Sequence, residues 1–142
     1  MVINNYFCLV IKISDFKEKD FSSVKNLLID GFSKNFDNDI NLNFINNQSN
    51  FGFVAINNET IIGFASIHII EKLNRRSCLI EDVVVDKKER GKGIGKLLIE
   101  HLINFSKSKS CDKIILNSKE SNIPFYNKLG FVQNEIQMVI RN

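Results

Sequence analysis

The feature that most restricts this chain is a strand that runs through a basic turn into three alternating glycines and then into an amphipathic helix. Val83-Val84-Val85 is followed by Asp86-Lys87-Lys88-Glu89-Arg90 and then by Gly91-Lys92-Gly93-Ile94-Gly95-Lys96. From Ile94 onward the apolar residues Ile94, Leu97, Leu98, Leu102 and Phe105 fall on one helical face. Glycine lacks Cβ, so a ligand can approach the backbone closely. The first turn of a helix presents N–H groups that have no acceptor within the helix. With the helix dipole they form an anion site. Arg90, Lys92 and Lys96 add positive charge, and a pyrophosphate fits the arrangement. A Walker A loop would need G-x-x-x-x-G-K-[ST], but Leu97 follows Lys96 and the first glycine position is Arg90. The dinucleotide fingerprint G-x-G-x-x-G fails as well, because Gly91, Gly93 and Gly95 are two apart throughout. On the glycines alone, a tight strand-to-helix turn that binds nothing stays open.

Around this segment the pattern alternates between strand and helix. Tyr6 to Ile13 reads as a first strand. Asp20 to Ser23 offers caps for a helix through Val24, Leu27 and Leu28, with Gly31 as its stop. Residues 37–50, rich in Asn, read as a short helix or a mobile loop. Phe51 to Ile56 and Thr60 to Ile70 flank the turn Asn57-Asn58-Glu59 and predict a hairpin. Lys72 to Ser77 reads as a basic loop, Cys78 to Val85 as a strand, and Lys113 to Leu116 as a short strand. Ser121-Asn122-Ile123-Pro124 opens a helix that Gly130 ends, and Ile136 to Ile140 reads as a terminal strand. A length of 142 residues and 44% hydrophobic content predict one mixed α/β domain, 1–142, with a core that needs no metal or disulfide.

Composition excludes several partners. The 19 Lys and Arg are spread among 16 Asp and Glu for a net charge of +3, without the dense stripe of a nucleic-acid binder. Cys8, Cys78 and Cys111 form an odd set with no C-x-x-C, so the sequence predicts no disulfide and a reducing compartment. Cys8 and Cys78 lie in apolar runs and read as buried. His68 and His101 have no zinc spacing, and both read as structural. Neither a signal peptide nor a membrane span is apparent, and the expectation is a cytoplasmic protein with no membrane partner.

The pattern Arg90-x-x-Gly93-x-Gly95 after a strand resembles the acetyl-CoA motif of the GNAT superfamily of acyl-CoA N-acyltransferases. Three further blocks are similar to the eukaryotic glucosamine 6-phosphate N-acetyltransferases: IEDVVV (Ile80 to Val85), RGKGIGKLLIE (Arg90 to Glu100) and KIILNSKESNIPFYNKLGF (Lys113 to Phe131). The ending MVIRN (Met138 to Asn142) is similar too, and the resemblance covers roughly residues 60 to 142. It implies the GNAT fold, a mostly antiparallel sheet with one splayed parallel pair flanked by helices. Acetyl-CoA is implied as cosubstrate, without a metal, and the implied reaction yields N-acetylglucosamine 6-phosphate for UDP-N-acetylglucosamine synthesis. The pantetheine arm would lie between the strands ending at Val85 and Leu116, in contact with Val83, Val84 and Val85. Its pyrophosphate would rest on the amides of Arg90, Gly91, Lys92, Gly93, Ile94, Gly95 and Lys96. Asn122, Phe125, Tyr126 and Lys128 would complete the coenzyme contacts.

Acetyl transfer to an amine needs an unprotonated nitrogen, a donor to the thioester oxygen, and stabilisation of the departing thiolate. By resemblance, Glu81 and Asp82 line the amine pocket with help from a local bulge, because neighbours in a regular strand face opposite ways. The amide of Val83 or Val84 would serve as oxyanion donor, and the Tyr126 phenol would serve the sulfur. Phe125 reads as the core aromatic of that pair. Asn122 reads as a helix cap, a pantetheine contact, or both. At Asn117 the family's best-known members carry an aspartate. An amide oxygen accepts a hydrogen bond but not a proton near neutral pH, so the general base passes to Glu81 or to the free amine itself. Arg141 would reach the sugar phosphate across a dimer interface, as a bidentate guanidinium suits phosphate. Arg75 and Arg76 are second choices. Two other readings stay open: a GNAT enzyme for another amine (a polyamine, a protein N-terminus or a drug), or a non-catalytic acyl-CoA sensor.

Overall fold

The computed structural model describes residues 10–32 and 40–142. Among the described residues, five strands form one sheet in sequential order: β1 (Lys12–Asp15), β2 (Asn50–Asn57), β3 (Thr60–Glu71), β4 (Arg76–Val85) and β5 (Lys113–Leu116). The first three pairings are antiparallel, and β4 pairs β5 in parallel. Helices α1 (Phe21–Phe32) and α2 (Leu42–Asn46) precede β2. Helix α3 (Ile94–Ser108) makes the crossover from β4 to β5, as a parallel connection requires. Helix α4 (Ile123–Lys128) follows β5.

The sheet separates two apolar layers. On one face Phe53, Ala55, Ala65, Ile67, Cys78 and Ile80 pack against Ile94, Leu98, Ile99 and Leu102 of α3. On the other, Val54, Phe64 and Val84 pack against Val24 and Leu27 of α1. Alternate strand residues thus serve opposite layers, the period of two expected of a sheet covered on both faces.

Three expectations change. The first strand spans Lys12–Asp15, later than its apolar run, because those residues match the register of Phe53 to Ile56. Its predicted start at Tyr6 lies outside the described residues. No strand forms over Ile136 to Ile140. Residues 131–142 follow α4 without regular structure, and Ile136, Met138 and Ile140 are 87–92% exposed. An alternating apolar run becomes a strand only where a neighbouring edge takes up its hydrogen bonds, and among the described residues this segment finds none. Finally, Cys78 in β4 and Cys111, just before β5, form a disulfide with their Cα atoms 6.3 Å apart. Parallel pairing of β4 with β5 brings them together across 33 residues, which no local motif reveals. The link removes the sequence argument for a reducing compartment.

Candidate active site

Strands β4 and β5 pair only from Ser77–Lys113 to Ile80–Leu116. Beyond that point β5 ends, while β4 continues to Val85. The two strands therefore part, and the β5-facing edge of Glu81 to Val85 has no strand beside it. This is the gap expected for the pantetheine arm. Asn117 follows Leu116 directly, so it stands at the mouth of the gap, level with Glu81.

A bulge shapes the β4 side of that mouth. Ser66 pairs Glu81, but Phe64 pairs Val84, so Ala65 opposes both Asp82 and Val83. Asp82 absorbs the extra residue with φ of 54°, in the left-handed region that an aspartate tolerates better than most side chains. The side-chain phase then shifts. Glu81 shares the α1 face with its partner Ser66, Val83 packs into the α3 layer, and Val84 returns to the α1 layer. The bulge thereby breaks the regular alternation of side chains along β4, and the negative charges of Asp82 and Glu81 both favour the charged form of His68.

His68 is the centre of a chain of hydrogen bonds across three strands. Its Nδ1 lies 2.8 Å from Asn50 Oδ1 and its Nε2 lies 3.2 Å from Ser66 Oγ. Ser66 is 1% exposed and donates its hydroxyl to the Glu81 carbonyl at 3.1 Å. The Phe44 ring of α2 meets the imidazole edge-on at 5.8 Å. Burial holds the His68 pKa below its ordinary value, against the opposing pull of Asp82 and then Glu81. The sequence reading left His68 without a role, and the signal that could have pointed to it is its place two residues after a buried serine on the strand beside the acidic pair. His101 packs its ring on Phe53 at 4.5 Å, which fits the structural role read from the sequence.

At the far end of β4 the glycine loop turns into α3. Gly91 and Gly93 have φ of 78° and 84°, and Gly93 is the helix N-cap. A Cβ at either would meet nothing within 4 Å. Their backbones are therefore left-handed beside open space, which leaves a cradle for a ligand. The first ladder bond runs from Leu97 N–H to the Gly93 carbonyl, so the N–H groups of Ile94, Gly95 and Lys96 precede the ladder. Arg90 donates to the Val85 carbonyl at 3.4 Å. Lys92 pairs with the partly buried Glu89 at 2.8 Å and Lys96 with the exposed Glu100 at 3.8 Å, so both lysines bring their positive charge already partnered.

Helix α4 supplies the aromatic wall. Phe125 is 38% exposed and lies within ordinary contact distance of a Cβ built on Gly95, whereas Tyr126 is half-buried against the α3-layer core. The expected division of labour is thus reversed: Tyr126 carries the packing, with Phe125 and Phe131 edge-on at 5.0 and 5.8 Å. Burial raises its phenol pKa above the ordinary value. Asn122 ends a short 3-10 turn and makes no side-chain cap bond to α4, which leaves the amide for another partner. Lys128 is exposed at the end of α4. Arg141 lies on the exposed tail. Arg76 is held by Glu71 at 2.6 Å and by the Lys109 carbonyl at 2.7 Å, which removes it as a phosphate ligand, and Arg75 is exposed beside Asn74. A cavity of about 310 Å³ lies between β1, β2 and α2, away from the glycine loop, and shares Phe44 and Asn50 with the surroundings of His68.

A splayed parallel pair, a bulge beside it and a left-handed glycine N-cap converge on one end of β4. The model of the acetyltransferase (GNAT) family matches residues 21–131. The chain belongs to the GNAT family. Over 81 residues it is 51% identical to glucosamine 6-phosphate N-acetyltransferase of Trypanosoma brucei brucei, an alignment that spans 55% of each chain. The chain thus matches about half the length of that curated relative. Among solved structures it resembles an acetyltransferase of Trypanosoma brucei at 33% identity and a TM-score of 0.82, covering 94% of this chain and all of that one. It also resembles glucosamine-6-phosphate N-acetyltransferase of Arabidopsis thaliana at 27% identity and a TM-score of 0.81, covering 93% and 98%. GNAT enzymes use acetyl-CoA as cosubstrate, and the open cradle at Gly91 and Gly93 fits its diphosphate.

Proposed function

We propose that this GNAT domain transfers an acetyl group from acetyl-CoA to the amine of glucosamine 6-phosphate. The observation that supports the reading is the bulge at Asp82, which follows Glu81 on β4 just past the last β4–β5 pair, Ile80 with Leu116. The similarity to named glucosamine 6-phosphate N-acetyltransferases supports the choice of amine.

Acetyl-CoA supplies an activated acetyl group. Glu81 and Asp82 hold the sugar amine at the gap and favour its approach as a cation. Asn117 accepts a hydrogen bond there but takes no proton, so Glu81 receives the ammonium proton directly or through water. The amide of Val83 or Val84, beside the bulge, donates to the carbonyl oxygen. Nitrogen forms its bond to carbon as the carbon–sulfur bond breaks, Tyr126 gives a proton to the sulfur, and the second proton that nitrogen sheds in becoming an amide returns to the Tyr126 phenolate through solvent. Burial keeps that phenol protonated through the neutral range. No cysteine is needed as a nucleophile, since the two substrates react directly. The same reading places the enzyme in the cytoplasm, in UDP-N-acetylglucosamine synthesis.

A second copy of the chain belongs to this reading. The exposed apolar residues Val132, Ile136, Met138 and Ile140 support a tail that is covered by a partner, with Arg141 reaching the partner's sugar phosphate.

Release of free thiol from acetyl-CoA, measured with glucosamine 6-phosphate, glucosamine, glucosamine 1-phosphate and spermidine, tests the proposal. Turnover with glucosamine 6-phosphate well above the other amines is expected. Turnover with spermidine alone would end the sugar assignment, and coenzyme binding without turnover of any amine would favour an acyl-CoA sensor.

A further inference from the structure

We propose that Ser66 is a positioning residue: its hydroxyl, seated on His68 and Asn50, holds the peptide that opens the β4 bulge and so aims the Val83 N–H at the edge where the thioester would lie. This rests on the proposed function for the reaction at that edge, but not for the hold of Ser66 on the bulge.

The bulge changes which edge of β4 each residue serves. In an extended strand the N–H and C=O of one residue point to the same edge, and those of its neighbour point to the other. Before the bulge, the Arg76 carbonyl accepts from the N–H of Asp112, just ahead of β5, at 2.9 Å. Even-numbered residues there face β5, and Glu81 faces β3. After the bulge, Asp86 N–H donates to the Ile62 carbonyl at 2.8 Å, so Val84 and Asp86 face β3. Val83 and Val85 then face the open edge, where Arg90 reaches the Val85 carbonyl. Unbroken alternation would have set the Val83 amide against β3. The reversal of phase between Glu81 and Val84 is what presents that amide to the gap, and it depends on the left-handed φ of Asp82.

A side chain keeps such a backbone conformation only where its surroundings fix it. The Glu81 carbonyl and the Asp82 N–H belong to one peptide plane, and φ of Asp82 is the turn away from that plane. Ser66 donates its hydroxyl to this carbonyl at 3.1 Å. With the hydroxyl proton spent there, His68 Nε2 donates to Ser66 Oγ at 3.2 Å. The His68 Nδ1 in turn meets the Asn50 amide at 2.8 Å. The hydroxyl is thus oriented from β2, through β3, onto the first peptide of the bulge. Ser66 is 1% exposed, so solvent has little access to take over its bond.

Two measurements test this. Ser66→Ala removes the hydroxyl with little change in volume, and Ser66→Thr keeps it. With glucosamine 6-phosphate as amine, Ser66→Ala should lower kcat by roughly tenfold, the order of one lost hydrogen bond, with KM for acetyl-CoA within about twofold of wild type. Ser66→Thr should turn over within a few-fold of wild type. An unchanged kcat in Ser66→Ala, an equal loss in Ser66→Thr, or a rise in KM for acetyl-CoA as large as the fall in kcat would each overturn the proposal. In the free protein, the three-bond HN–Hα coupling of Asp82, read by NMR, separates a φ of 54° from an extended strand. In Ser66→Ala that coupling should move toward the extended value and the Val83 amide resonance should shift, while the amides of Gly91 and Gly93 stay put. An unaltered Asp82 coupling and Val83 resonance would overturn the proposal. If the wild type turns over no amine, the proposed function falls, and the NMR comparison alone decides whether Ser66 holds the bulge.

Discussion

At the scale of single residues, the left-handed glycine at the start of α3 is the most exposed to test. Gly93 has φ of 84° with open space where a Cβ would stand, so an alanine there meets no clash and suffers only the backbone cost. That cost is about 1–2 kcal/mol, and it acts on the amides that precede the helix ladder. Gly93→Ala is expected to raise KM for acetyl-CoA by roughly tenfold with little change in kcat, since ~1.4 kcal/mol corresponds to a factor of ten. Steady-state kinetics at saturating amine checks it, and an unchanged KM would remove the loop from coenzyme binding. Tyr126→Phe keeps the ring that packs against Phe125 and Phe131 and deletes only the hydroxyl. It should lower kcat by at least about 10²-fold, the usual worth of a placed proton donor, with KM for acetyl-CoA nearly unchanged. The left-handed glycine turn was legible in the sequence from its local pattern, whereas the packing that Tyr126 takes over from Phe125 was not. The partnership of His68 with Ser66 and Asn50 was not, because it joins strands that only the sheet register brings together. Glu81 and Asp82 were legible as an adjacent acidic pair, but the left-handed φ of Asp82 is a property of the bulge.

At the scale of elements, the segments with strong patterns came out as read: the hairpin of β2 and β3, the amphipathic α3 and the short β5. In each, alternation or helical spacing coincides with burial, so local preference and tertiary packing agree. The failures lie where pairing decides. β1 sits later than its apolar run because its register with β2 selects Lys12 to Asp15, and the alternating tail finds no strand to pair with among the described residues. The Cys78–Cys111 link is also a matter of pairing, between β4 and the turn before β5. A crosslink closing a loop of this length stabilises by about 3–4 kcal/mol through the unfolded chain. Cys111→Ser, or reduction of the wild type, is therefore expected to lower the thermal midpoint by several degrees. Alkylation of the denatured protein should modify Cys78 and Cys111 only after reduction, and modification without a reductant would show that the link does not form in solution.

At the scale of the whole molecule, two histidines share one tendency. Burial lowers the pKa of both His68 and His101 in the folded chain, against carboxylates that pull it up. An unfolded chain would bind those protons at the ordinary value of about 6.5. The stability held by the neutral rings is complete above that pH, and it is lost as the pH falls toward the folded values. Thermal midpoints should therefore be level just above neutrality and decline below about pH 6.5, before the carboxylates titrate. His101→Gln should shrink that decline, and an identical decline in the variant would exclude His101 as a source. The two apolar layers, the split between β4 and β5 and the glycine turn all bear on one end of the sheet, where a coenzyme diphosphate and a thioester would meet an amine. Calorimetric titration of the purified protein with coenzyme A tests this most directly. Saturable one-to-one binding is expected, weakened by Gly93→Ala and by added salt. No measurable binding of coenzyme A in free or acetylated form would contradict it.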